Sequence, residues 1–134
     1  MPINLEIVSP EKLLVSRPVD MVVIPGSEGD LGALPGHAPI MLLLRGGTVS
    51  LYEGGQVTER LFVTGGFAEV TPERVTVLAD ETFALSELSR AEGERRLAAA
   101  QAEYDAADKS DVVAVEAAMD RMLSAQAMIQ TAAA

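Results

Sequence analysis

The chain carries one histidine, His37, within Leu34-Pro35-Gly36-His37-Ala38-Pro39. With no second histidine and no cysteine, neither a catalytic triad nor a zinc site can be assembled around it. A lone histidine framed by prolines is more often a structural or interface residue than a catalyst. The glycine-rich segment Pro25-Gly26-Ser27-Glu28-Gly29-Asp30-Leu31-Gly32 has no following Gly-Lys-Ser/Thr. Its two carboxylates would repel a phosphate rather than cradle it, which excludes a nucleotide P-loop. Glu28 and Asp30 have the chemistry of an acid–base pair, yet acidic turn residues are usually just solvated. No base–nucleophile pair is present, so no catalytic residue and no metal ligand set is assigned, and the chain is not expected to be an enzyme.

Composition narrows the classes further. At 134 residues the chain is most simply one domain, or a small domain with an appendage. With 49% of its residues hydrophobic it can fill a core and is too apolar for a disordered chain. The longest apolar run, Ile40 to Leu44, is far short of a membrane span, so no direct membrane insertion is expected. Neither a signal peptide nor a transit-peptide pattern is evident at the N-terminus. A net charge of −10 argues against nucleic acid as a partner and against adhesion to an anionic membrane. Zero cysteines fit a reducing compartment.

Two kinds of sequence are joined in the chain. All seven prolines lie at or before Pro72, and of the eleven glycines only Gly93 lies after Gly66. Beyond Glu87 alanine dominates. Turn-formers before and helix-formers after predict a boundary near residues 84–88, dividing the chain into 1–86 and 87–134. The first part reads as short strands. Ile3, Leu5 and Ile7 alternate with polar residues, followed by Leu13–Val15 and, beyond Pro18, Val19–Ile24. Further runs are Ile40–Leu44, Thr48–Tyr52, Val57–Thr64, Gly66–Thr71 and Arg74–Leu78. Gly46-Gly47, Glu53-Gly54-Gly55, Gly65-Gly66 and Pro72-Glu73 supply the turns. This spacing predicts an antiparallel sandwich or barrel rather than βαβ units, with a core of mainly Val, Leu and Ile.

The second part reads as an antiparallel two-helix hairpin. Ser89 and Glu92 form a candidate capping box, and Glu92 with Arg96 an i,i+4 pair. Leu97, Ala100 and Tyr104 share a face. Ser110 is the expected cap of a second helix whose apolar stripe would be Val112, Val115, Met119, Met122, Gln126 and Ile129. Alanine favours helix but offers little docking area; an Ala in place of a Leu gives up about 2 kcal/mol of burial. The hairpin is therefore expected to rest on the sandwich by a shallow contact.

The segment Val23 to Ile40, which includes Pro25-Gly-Ser-Glu-Gly-Asp-Leu-Gly32 and Pro35-Gly-His-Ala-Pro39, resembles the characteristic loop of the epsilon subunits of F-type ATP synthases. Val63-Thr-Gly-Gly-Phe-Ala-Glu-Val70 followed by Val75-Thr-Val-Leu-Ala-Asp80 resembles a second block of that family, and Ile7-Val-Ser-Pro-Glu11 a third. Order, spacing and the Ala-rich hairpin agree over essentially the whole chain. The resemblance implies a mainly β plus α protein, an N-terminal antiparallel β-sandwich of about ten short strands with a C-terminal helical hairpin. It implies a non-catalytic central-stalk subunit of a proton-translocating ATP synthase, peripheral on the cytoplasmic face of a bacterial inner membrane, coupling the c-ring to gamma and the catalytic head.

Residue by residue, the resemblance puts Ser27, Glu28 and Asp30 at the c-subunit ring, and Ser9, His37 and Leu42 against the gamma subunit. In many members the hairpin extends toward the alpha/beta head and blocks hydrolysis, and in some it binds ATP. An ATP-sensing regulatory subunit is thus the alternative reading. Its nucleotide motif corresponds here to Ser86-Glu87-Leu88-Ser89-Arg90, with Arg96 and Arg121 as further basic positions. The motif's acid has become Glu87 and its apolar residue Ser86, so ATP binding is expected to be weak or absent, and no other cofactor is expected. From Asp111 to Gln130 only Arg121 is basic, against Asp111, Glu116 and Asp120. An acidic partner would be repelled, so inhibition by the tail is expected to be weak or absent.

Overall fold

The computed structural model describes residues 2–132; residues 1, 133 and 134, the outermost of the division expected above, lie outside the described residues. Ten strands come first: β1 (Ile3–Val8), β2 (Leu13–Val19), β3 (Met21–Gly26), β4 (Gly29–Ala33), β5 (Ile40–Leu44), β6 (Gly47–Glu53), β7 (Gln56–Val63), β8 (Gly66–Val70), β9 (Arg74–Ala79) and β10 (Thr82–Ala84). A 3-10 turn at Leu85–Glu87 leads into helices α1 (Arg90–Ala106) and α2 (Val112–Thr131).

The strands form a single hydrogen-bonded path, β10-β7-β6-β3-β5-β8-β9-β1-β2, with β4 paired to β3 alone. β3 is where the path bends. Its first half pairs with β6, whereas only its last residue, Gly26, meets β5 at Leu44. The sheet thereby folds into two layers, β10-β7-β6-β3 and β5-β8-β9-β1-β2. Between them lie Ile3, Leu5, Ile7, Val15, Val22, Ile24, Leu51, Val63, Val70, Val75 and Val77, all buried, so the core is aliphatic as the composition predicts. Phe62, fully buried, lies on the opposite face of β7 from Leu61 and Val63, toward the helices.

Three local expectations are corrected, and one short strand is added within the ten expected. Pro18 does not separate two strands; it sits inside β2, which is the free edge of the path, where its missing N–H leaves no ladder bond unmade. The segment 25–32, expected as a glycine-rich turn, is a β-hairpin, with β4 paired to β3 from Val22↔Ala33 to Gly26↔Gly29 and only Ser27 and Glu28 between. β10, a short strand on β7, is a further addition. The sandwich is also not wholly antiparallel: β1 runs parallel to β9, because the first strand closes beside one laid down some 70 residues later.

In the hairpin, Ser89 caps α1 by accepting from the Glu92 N–H, but Glu92 turns its carboxylate to Arg95 and Arg96 instead of completing the box. Asp111, not Ser110, caps α2, since the Ser110 hydroxyl is engaged by Asp108. The stripe expected on α2 is rotated. Val112, Met119 and Gln126 are exposed, and Ala118, Ala125 and Met128 are buried. Close approach of the helices selects the small residues: a Cβ on Gly93 of α1 would stand 2.8 Å from Ile129 Cγ1 of α2.

One arginine ties the edge strand β2 to the opposite layer. Arg17 on edge strand β2 donates to Glu53 on β6 (3.0 Å) and to Glu59 on β7 (3.0 Å), and Thr58 adds a bond of 2.6 Å to Glu53. The Thr58 hydroxyl and the Arg17 guanidinium hold the Glu53 carboxyl below the ordinary carboxylate value of 4.5. A depressed folded value contributes stability above the ordinary range that is lost as pH falls through it. Arg17→Met is expected to lower the melting temperature at neutral pH, with the gap to the parent closing below pH 4.5. Melting curves against pH check this; a gap that persists in acid would show that Arg17 acts through packing alone.

Candidate functional site

The acidic tip is the β3–β4 turn. Ser27, Glu28 and Asp30 are all exposed there, so the fold does bring these three together. Three ties bind the tip to the end of β5. The Ser27 N–H donates to the Leu43 carbonyl (2.8 Å), and the Arg45 N–H to the Pro25 carbonyl (3.0 Å). The Arg45 guanidinium donates to the Gly26 carbonyl and to Asp30 Oδ1, each at 2.7 Å. A Cβ on Gly26 would lie 2.6 Å from the Gly29 carbonyl oxygen, and Gly29 has φ +137°, so both positions require glycine.

Ser9, His37 and Leu42 are not brought together. Ser9 follows Val8 at one end of the five-strand layer, and bonds locally to the Lys12 carbonyl. His37 lies beyond the other end, in the β4–β5 loop pinned by the Gly36 N–H to the Pro72 carbonyl (2.8 Å). Its Nδ1 is 2.7 Å from the Ala38 carbonyl oxygen. Leu42 is half-buried and packs against the core, whereas its neighbours Met41 (64% exposed) and Leu43 (68%) face outward.

That outer face carries a feature the sequence reading did not single out. Leu43 pairs with Phe67, Phe67 with Leu78, Leu78 with Val8, and Val8 with Leu13. One cross-strand row of apolar side chains therefore spans β5, β8, β9, β1 and β2, and four of its five members are exposed large hydrophobics. The signal was available: five consecutive apolar residues on a strand buried on one face must turn alternate ones to the outside.

The hairpin lies across the other end of the same corner. The Ser124 hydroxyl of α2 donates to the Thr64 carbonyl (2.8 Å), and a Cβ on Gly46 would be 2.7 Å from Ser124 Cα. Arg96 of α1 reaches Glu81 (2.7 Å) and stacks over Phe83. A cleft of about 850 Å³ remains between the sheet and the helices, with Arg45, Arg95, Arg96 and Arg121 on its walls beside Asp80, Glu81, Glu103 and Asp120. Of the residues matched to a nucleotide motif, Arg96 and Arg121 share this cleft. Glu87 lines a different one, where it accepts from the Ala84 N–H, and Arg90 pairs with Glu94 on the helix surface.

Each guanidinium here is already engaged. Arg96 is held by Glu81 and Glu92, Arg95 by Glu92, and Arg121 by Glu103. Glu81, and after it Glu92, raises Arg96 further above its usual range, while Arg95 and Arg96 together lower Glu92 to about 2. An incoming phosphate would have to displace carboxylates. Among the described residues no group of three metal-ligating side chains occurs, and no helix is long and apolar enough to cross a membrane.

The fold and the tip define a class before they define a protein. Residues 2–84 match the family described as the ATP synthase delta/epsilon chain, beta-sandwich domain. An ATP synthase epsilon chain of Granulibacter bethesdensis is 60% identical over 129 residues, covering 96% of this chain and 96% of that one. Another from Gluconacetobacter diazotrophicus is 55% identical, covering 98% and 94%. A solved structure of the Euglena gracilis mitochondrial ATP synthase contains a chain of similar fold, with TM-score 0.71 and 24% identity over 94% of this chain and 80% of that one. A Tetrahymena thermophila central stalk and c-ring structure contains another, with TM-score 0.67 and 12% identity over 99% and 98%. This chain belongs to the ATP synthase epsilon chain family.

The docking of the hairpin makes a testable prediction. Ser124→Ala removes a half-buried hydrogen bond of about 1 kcal/mol, roughly a fivefold shift toward the undocked hairpin. Gly46→Val forces the backbones apart. Hydrogen exchange should quicken throughout α2 in both variants while β8 and β9 keep their protection. Equal slowing of exchange in α2 and in the sheet core of the parent would contradict a shallow contact.

Proposed function

We propose that this chain, a non-catalytic subunit of an ATP synthase, is a central-stalk adaptor in the rotor whose sheet joins two partners. The acidic tip of Ser27, Glu28 and Asp30 contacts the c-subunit ring, where complementary charge on the ring's loops would set register and encounter. The outer face of the β5-β8-β9-β1-β2 layer contacts gamma, with Ser9 and His37 at its two ends. The observation that carries this reading is the apolar row Leu43–Phe67–Leu78–Val8–Leu13, a contiguous exposed patch of the kind that marks a protein contact. Leu42 supports that face from within. The sheet, residues 1–86, is the binding part, and the hairpin, 87–134, is a separable tail.

We place the complex at the cytoplasmic face of a bacterial inner membrane, with this chain held there by proteins rather than lipid, as its charge of −10 favours. Contact of the tail with the alpha/beta head is left weak by the acidic character of α2. Nucleotide sensing has less support, because the arginines of the cleft are engaged by carboxylates.

Co-purification with gamma tests the reading. Leu43→Asp with Phe67→Asp should weaken gamma binding at least about a hundredfold, as loss of two central apolar anchors does. Deleting residues 88–134 should leave gamma binding and the rate of ATP hydrolysis nearly unchanged. Undiminished gamma binding by the double variant, or strong activation by the deletion, would overturn the corresponding half.

A further inference from the structure

Two sets of contacts hold the tail, and they differ in kind. Between the helices the packing is close. A Cβ on Gly93 of α1 would stand 2.8 Å from Ile129 Cγ1 and 3.5 Å from the Ala125 carbonyl oxygen of α2. Arg121 of α2 also donates to Glu103 of α1 (3.0 Å). Between hairpin and sheet, by contrast, the cleft of about 850 Å³ leaves the two surfaces apart over part of their length. Two polar ties join them there, and both land on one corner of the sheet, where the Thr64 N–H donates to the Glu81 carbonyl (3.1 Å). The Ser124 hydroxyl donates to the Thr64 carbonyl, and Arg96 to the Glu81 carboxylate.

Arg96 is the more elaborate tie. Its Nη1 and Nη2 donate to the two Glu81 oxygens (2.7 and 3.0 Å), its Nε donates to Glu92 (2.8 Å), and its guanidinium lies 5.5 Å from the centroid of the Phe83 ring. A planar fork makes these contacts together, and a lysine ammonium cannot. The covalent connection is slight. No residue of the 3-10 turn Leu85–Glu87 is buried, and Leu88 and Ser89 beyond it are extended.

We propose that Arg96 is the latch that fixes the hairpin to the sheet, and that on its release α1 and α2 leave together, as one paired unit pivoting at Leu88 and Ser89, rather than parting from each other. The Arg96 and Glu81 side chains are only partly buried, so each of these bonds is modest and is screened by salt. A contact as shallow as this one is nevertheless shifted by the loss of one residue, while the helix pair keeps its own packing.

The chain has no cysteine, so spin labels can be placed on introduced ones. Gln56→Cys on the sheet, Ala102→Cys on α1 and Gln126→Cys on α2 are all exposed sites. Distances between pairs of labels in the full chain, measured by pulsed electron spin resonance across a urea series, report docking and helix pairing separately. Arg96→Ala should shift the equilibrium about tenfold toward the undocked hairpin, through loss of the ion pair and the ring contact. Both sheet-to-helix distances should then lengthen at lower urea than in the parent, with the α1-to-α2 distance unchanged. Arg96→Lys should recover only part. Glu81→Gln should undock in the same direction and lose most of the parent's sensitivity to salt. If Arg96→Ala and Glu81→Gln undock at the parent's urea concentration, or if the tail leaves only when the sheet unfolds, Arg96 is not the latch. If the α1-to-α2 distance broadens whenever the sheet-to-helix distances lengthen, the helices do not leave as a pair.

Discussion

The structure turns on the close approach at the β5–β6 turn, where Arg45, Gly46 and Gly47 meet three other elements at once. Gly47 lies against Pro25 of β3, Gly46 against Ser124 of α2, and Arg45 bonds to Gly26 and Asp30 of the tip. Side chains at 46 or 47 would push either the hairpin or β3 away. The two-layer sandwich bends at this same corner, through the single Gly26↔Leu44 pair. The acidic tip, the docked hairpin and the bend of the sheet thus all meet at this turn, where Gly46 and Gly47 leave room for Ser124 and Pro25.

The rotor role proposed for this chain calls for a body that resists shear, and the cross-linking of the two layers favours one. β2 and β7 are remote along the strand path, and the Arg17–Glu53–Glu59 cluster joins them across the gap. Above this frame the hairpin is held by few groups: one hydroxyl, one arginine shared between Glu81 and Phe83, and small residues packed helix to helix. A rigid sheet with a lightly held tail separates the work of coupling from anything the tail does.

Much of this was legible in the residues. The β-to-α change of composition predicted the architecture, and the alternation of Ile3, Leu5 and Ile7 predicted an inward face that the core confirms. Ser89 was correctly read as a cap. The failures have physical causes. The expected stripe on α2 ran through Val112, Met119 and Gln126, whereas Ala118, Ala125 and Met128 are the buried residues, and α1 meets α2 at Gly93, where close helix contact needs a small residue. The tip's three residues could be named from sequence, but the bond between Asp30 and Arg45 spans 15 positions and depends on the β3–β5 corner. The apolar row combines residues from five strands in a register, including a parallel pair, that no local pattern specifies.

The central claim is that this chain couples without catalysing. The most direct measurement is ATP-driven proton pumping by membrane vesicles carrying the ATP synthase, stripped of this chain and then resupplied with it. Hydrolysis should continue in both preparations, and pumping should appear only when the chain is present. Full pumping without the chain, or nucleotide hydrolysis by the chain alone, would contradict the account.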